Sequence, residues 1–461
     1  MNNLLNMVYQ NAPDLPHEIF RLTNAGADPN VITQYGESPL RIALRNGRLD
    51  AIRVLLDAGA DERQLGWSEL HRLVAFGTIG QIKAQLQQHG GRDERDYWEH
   101  TPFLLAVSLG DQAKAAFLLA MGCQIEERGR CAKSALQYAA QQGNLNMLAW
   151  LLAAGHEIDA VDDFGGTALM EATECDQAAA VRFLLAQGAN WRRENHIPQR
   201  AIHYARSKAV IEALHKTGES LSVLDGEQLG IFLSLERAAE LQARKVEFQQ
   251  AATREFGVSN AELTNHPFWL EMIRTGVNAW HARNHYEMRD FPKPVWCFDR
   301  FGRTVNRLPD GRVVVIAGEH EDYYDPDFCI YNDVVVFHPS SKIEIYSYPE
   351  GVFPPTDFHT ATLVDDALYL IGNLGYANAC QPVQTPVYRL DCKTMRIEQV
   401  KTKGDGPGWI YRHQAELKAG VILVTSGKQI INVQGAREYV DNDATWALDL
   451  RTLSWQKLAD Y

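Results

Sequence analysis

Seven glycines recur at positions 26, 59, 90, 122, 155, 188 and 218, spaced by 33, 31, 32, 33, 33 and 30 residues. Several close apolar runs of one type: RVLLDAG, FLLAMG, WLLAAG and FLLAQG. A second ladder stands at Gly47, Gly77, Gly110 and Gly143, with Asp176 in its next place. It follows ESPLRIALRNG, WSELHRLVAFG, HTPFLLAVSLG, KSALQYAAQQG and GTALMEATECD. A period of this kind marks stacked units, each too small to bury its apolar face alone. Each unit reads as turn, short helix, glycine, second helix, glycine. Glycine fits the residue after a helix because that position usually needs a positive φ. Ser38–Pro39 and Thr101–Pro102 suit helix starts, with the hydroxyl as cap and proline in the first turn.

These units resemble the ankyrin repeat, whose pattern is T-P-L-H-x-A-A-x-x-G followed by V-x-x-L-L-x-x-G-A. The resemblance covers residues 15–218. It departs at the pattern's histidine, which is present as His71 and replaced by Ile42, Leu105, Tyr138 and Met170 elsewhere. Ankyrin arrays act as binding scaffolds through hairpin fingers and inner helices. The resemblance therefore implies a protein partner met by the finger residues Tyr35, Trp67, Tyr97, Trp98, Glu99 and Phe164. Tyr and Trp dominate interface hot spots; the competing expectation is that individual rings pack between adjacent fingers.

Residues 226–256 are helix formers without proline, and NHPFWLEMIRTGVNAW opens a second helix with Pro267 in its first turn. The expected division is an ankyrin solenoid over 1–218, a rigid helical connector over 219–290 and an all-β domain over 291–461. In the β domain, RVVVIAG, DALYLIG and GVILVTSG end at Gly318, Gly372 and Gly427, 54 and 55 residues apart. Each is preceded by one strand-like run and followed by two more joined by a tight turn, as in NDVVVFHPSSKIEIYSY and TPVYRLDCKTMRIEQV. Four strands per unit outline a propeller blade. The units resemble kelch repeats, and strings such as RFGRTVNRLPDG and GPGWIYRH resemble a bacterial group that carries such modules behind ankyrin repeats. Only three units fit. The expectations are an open array capped by helices, a homodimer closing a six-blade ring, or another layered packing.

The segment EHEDYYDPDFCIYND, residues 319–333, places six carboxylates beside a histidine without one Lys or Arg. As the loop between second and third strands it should share a face with FPPTDFH and GPGWIYRH. That face is expected to gather His320, Glu321, Asp322, Tyr323, Tyr324 and Asp325 with Asp357, His359, Trp409, Arg412 and His413. Carboxylates with imidazoles could hold a divalent metal or support acid–base chemistry. No HExxH or calcium-loop spacing is present, so no metal or cofactor is assigned. Turn-forming acids that contact a partner, and histidines bonded between blades, form the simpler reading.

The formal net charge of −13 argues against nucleic acid or an anionic membrane as the main partner. The start, MNNLLNMVYQNAPDL, lacks a basic, apolar leader, and the seven cysteines form no CxxC pair, which points to a cytoplasmic setting. Phosphate-binding glycine loops and nucleophile elbows are absent from the sequence. The reading favoured is a protein-interaction scaffold or binding protein, monomeric or homodimeric, with neutralisation of a basic effector or toxin as its specific version. Its alternative is an enzyme or ligand-binding protein that uses the β face.

Overall fold

A computed structural model describes residues 3–11, 14–321, 325–434 and 436–458. The chain forms two compact units, Met1–Glu219 and Ser220–Tyr461. Residues 220–290 thus belong with the sheets.

The first unit is built of short antiparallel helix pairs. Pro39–Arg45 is followed by Leu49–Asp57, Glu69–Phe76 by Ile79–Gln88, and Pro102–Ser108 by Gln112–Ala120. Ala135–Gln141 with Leu145–Ala153, and Ala168–Glu174 with Ala178–Ala186, continue the series. Hydroxyls start the first helix of each pair: Ser38, Ser68, Thr101, Ser134 and Thr167 each accept from the backbone N–H three residues ahead. Glycine ends the second helices, as at Gly122 and Gly155, whose φ values of 98° and 101° a side chain would oppose. Asp176 takes the left-handed place of the missing glycine with φ 55°, a conformation short polar side chains tolerate. The core is the continuous inner seam, including Leu44, Val74, Leu104, Leu136 and Leu169, all buried.

In the second unit, the long helix expected over 226–256 is two short ones, Gly226–Leu233 and Lys245–Ala251. Ser234 turns left-handed at φ 54° and closes the first helix onto Gly230 and Ile231 carbonyls. No proline or glycine marks that stop, so residue preference alone could not show it. Helices Pro267–Thr275 and Ala279–His285 follow.

The strands in chain order are β1 (Glu262–Leu263), β2 (Thr304–Arg307), β3 (Val313–His320), β4 (Cys329–Phe337), β5 (Ile343–Ser347), β6 (Thr360–Val364), β7 (Ala367–Ile371), β8 (Val387–Asp391) and β9 (Ile397–Gln399). Then come β10 (Trp409–Tyr411), β11 (Gln414–Lys418), β12 (Val421–Thr425), β13 (Lys428–Val433), β14 (Ala436–Asp441), β15 (Trp446–Asp449) and β16 (Ser454–Lys457). They form antiparallel meanders β2-β3-β4-β5, β6-β7-β8-β9 and β11-β12-β15-β16. β1 extends the first beyond β5, and the hairpin β13–β14 leaves the third to pair with β10.

One bonding scheme joins successive sheets. Phe358 N–H donates to Gly302 O at 2.8 Å, and Arg412 N–H to Phe358 O at 2.9 Å. All three residues have positive φ, at 61°, 47° and 53° for Gly302, Phe358 and Arg412. Between the sheets lie apolar layers: Val314, Val336 and Tyr348 meet Leu368, Leu370 and Leu390, and farther on Ile371 and Val387 meet Ile422, Val424 and Leu448. Burial of each such side chain contributes about 1.5–3 kcal/mol. Ahead of β2, where a preceding sheet would stand, residues 220–224 supply the bonds instead. Ser222 Oγ accepts from Val305 N–H and Leu224 O from Arg303 Nη2, both at 2.9 Å.

Candidate protein-interaction surfaces

The finger loops of the first unit are shaped by one recurring side chain. Asp96 Oδ1 accepts from the N–H of Trp98 and His100, at 2.9 and 2.8 Å, and Asp162 Oδ1 from Phe164 and Gly166 at the same distances. Asn195 repeats this with Ile197 and Gln199 at 3.1 and 3.0 Å. Such Asx turns hold a tight loop without a backbone partner. Gly129 stands in the same register of the intervening finger, where a Cβ would sit 2.3 Å from the Tyr138 hydroxyl oxygen. Arginines tie finger to finger: Arg95 donates to its own Glu99 O and to Arg128 O, and Arg128 to its own Ala132 O and to Val161 O. Backbone bonds complete the row, with Arg130 N–H to Trp98 O, Asp163 N–H to Cys131 O and His196 N–H to Phe164 O.

The finger residues named from sequence divide into two groups. Tyr35 is 81% and Phe164 63% exposed, and Glu99 is exposed with φ 62°. Trp67 is half-buried edge-on against Phe76. Tyr97 lies under the Arg41 guanidinium at 3.7 Å, and Trp98 donates its indole N–H to Arg41 O at 2.7 Å with Arg130 near its ring. The structure adds two tips: Ile197, 67% exposed, and Cys131, also exposed. Trp98, Cys131, Phe164 and Ile197 are spaced by 33 residues each and make an apolar row along bonded fingers. The period from Phe164 points to both additions, although neither Ile nor Cys is a residue type that marks interfaces.

On the second unit two carboxylates of the acidic segment, Asp327 and Asp333, are buried. Glu319 and His320 finish β3, and residues 329–333 begin β4. Asp333 is buried, forms an ion pair with both Arg300 amino groups and accepts from Trp296 Nε1 at 2.7 Å. Asp327 pairs with Arg283 at 2.6 and 3.1 Å and accepts from Val295 N–H at 2.9 Å. These carboxylates clamp the preceding helical segment to the first sheet. Asp325 accepts from Asp327 N–H as a turn former. Asp322, Tyr323 and Tyr324 lie outside the described residues.

His359 and His413 are 5% and 6% exposed, inside the joints between sheets. Their Nε2 atoms reach Thr304 Oγ1 at 3.1 Å and Thr360 Oγ1 at 2.8 Å, each one sheet back. Burial pushes both imidazoles down to about 3, so they are neutral links. Asp357 is buried and accepts from Gly375 N–H at 2.6 Å; burial holds its carboxyl above the usual range, against that bond and one with Glu319. His320 is buried and donates through Nδ1 to Asp299 O at 3.1 Å, with Nε2 3.1 Å from Glu321 Oε1. Trp409 is buried with its N–H on Leu374 O, while Arg412 is exposed over the Phe358 ring at 4.2 Å. Hence the expected face keeps Glu321, Asp325 and Arg412 at the surface and encloses its imidazoles. Among the described residues no three His, Cys, Asp or Glu side chains group as a metal site requires, and no helix is long and apolar enough to cross a membrane.

Stacked helix pairs with finger loops at this period define a helical repeat array. Those repeats match the ankyrin repeat: residues 35–64 match the ankyrin repeat model, and residues 70–162, 103–195 and 136–223 match the model of three ankyrin copies. The Transient receptor potential cation channel subfamily A member 1 homolog of Caenorhabditis elegans is 29% identical over 168 residues, 36% of this chain and 14% of its own. The B-cell lymphoma 3 protein homolog of Mus musculus is 25% identical over 215 residues, 46% of this chain and 42% of its own. The chain thus spans less than half the length of these curated relatives. The crystal structure of the ankyrin repeat domain of Bcl-3 is 24% identical and covers 46% of this chain and 97% of that one, with a TM-score of 0.30.

Proposed function

We propose that this chain is a protein-interaction scaffold whose ankyrin fingers seat a partner along the row Trp98, Cys131, Phe164 and Ile197. The single observation behind this reading is an apolar row, exposed at Cys131, Phe164 and Ile197, on loops fixed by side-chain and backbone bonds. A rigid surface loses little conformational entropy on binding, which favours recognition over mere exposure. The β-rich unit is read as a kelch-like array of three blades, open at one end and closed at the other by residues 220–224. With a net charge of −13 the chain would draw a basic partner by long-range attraction, as a neutraliser of a basic effector in a bacterial cytoplasm.

Capture by the immobilised full chain tests this. Proteins recovered with the wild type should be lost with F164E/I197E and retained with R412E, while all three melt at the same temperature. Recovery of the same proteins by wild type and F164E/I197E would overturn the finger reading.

A further inference from the structure

Between the first sheet and the helices ahead of it lies a hollow of about 440 Å³; a second of about 510 Å³, among the helices, shares Gly276 and Asp299 with it and is lined by Arg237, which donates to Thr275 O and Gly226 O. The first is walled on the sheet side by Asp299, Arg300, Phe301, His320 and Glu321. Its charges are unevenly compensated. Arg300, the one Lys or Arg in its described lining, is already paired with Asp333 beneath the surface. Asp299 gives one oxygen to Arg303 at 2.8 Å, yet its side chain remains 62% exposed. Glu321 is 40% exposed beside His320, and the Phe301 ring is 66% exposed at the same edge.

An exposed phenyl ring beside two accessible carboxylates, with no uncompensated Lys or Arg among the described residues of the first hollow, suits a planar cation. A guanidinium stacks on a ring through its face and donates to carboxylates through its edge, which an ammonium does less well. We propose that this hollow receives an arginine side chain of a partner protein. The proposal rests on the protein-binding reading above and gives the β-rich unit its own anchor point and the partner's basic character a specific address.

The test uses the full chain and a capped peptide, acetyl-Gly-Ser-Arg-Ser-Gly-amide, in calorimetric titration. The citrulline version, a neutral isostere, and the lysine version serve as comparisons. The arginine peptide should bind at millimolar concentration, with citrulline weaker by about tenfold and F301A and E321Q each weakening binding by about fivefold. Both substitutions fall on exposed side chains, and an unchanged melting temperature verifies the fold. The proposal is overturned by absence of arginine-peptide binding, by equal binding of citrulline, by tighter binding of lysine, or by wild-type affinity in both variants. F164E/I197E should bind this peptide like the wild type, so failure here and failure of the finger reading remain separately visible.

Discussion

Arg300 and Asp333 show why single residues in an acid-rich segment can decide more than their composition suggests. Both side chains are 2% exposed, and the guanidinium also lies 3.5 Å over the Tyr331 ring. Replacing Arg300 by methionine would leave a buried carboxylate without its counter-charge, at a cost of about 3–5 kcal/mol. R300M/D333N should recover part of that loss in urea unfolding. The neutral histidines between the sheets carry a second residue-scale prediction. Because burial holds them at about 3, the unfolded chain takes up their protons first as pH falls below about 6.5. Stability should therefore drop with falling pH, by roughly 1.4 kcal/mol per unit for each histidine between pH 6.5 and 3. H359N/H413N should flatten that part of the melting-temperature profile; an unchanged slope would place the proton uptake elsewhere.

At the scale of elements, the helix caps are the clearest repeated device. Ser134→Ala should cost about 1 kcal/mol and lower the melting temperature, because Ser134 is buried and bonds the Gln137 N–H. Much at this scale is legible in the sequence. The glycine ladders locate the helix pairs, and the 54- and 55-residue spacing locates the second strands β3, β7 and β12. Three features were hidden for physical reasons. The Arg300–Asp333 bond depends on tertiary contact, and a run of acids reads as solvated until its partners are known. Ser234 ends a helix without a breaker residue. The β13–β14 hairpin is hidden because its partner β10 lies before the third sheet's own first strand. Of the binding residues, Tyr35 and Phe164 were visible as aromatic tips, whereas Trp67, Tyr97 and Trp98 spend most of their surface on neighbouring residues.

At the scale of the whole molecule, the third sheet ends the array with a charged face. Gln414, Glu416 and Lys418 of β11 are exposed, with Lys418 bonded to Glu416 at 2.9 Å, while Ile422 and Val424 of β12 turn toward the second sheet. A polar outer face is what a terminal repeat needs. At the other end the chain's own residues 220–224 occupy β2's bonding positions. With residues 220–224 closing one end and a polar face on the other, light scattering should return the monomer mass of 51.9 kDa at all accessible concentrations. A concentration-dependent dimer would restore the six-blade ring.

Partner binding is proposed to reside on the bonded finger row. The most direct test is the affinity of a captured partner for the wild type and for F164A, measured by calorimetry with the full chain. Removal of one central exposed ring should weaken binding by at least about 2 kcal/mol, the hot-spot range, while the melting temperature stays constant. Undiminished affinity in F164A, repeated in I197A, would place the partner elsewhere.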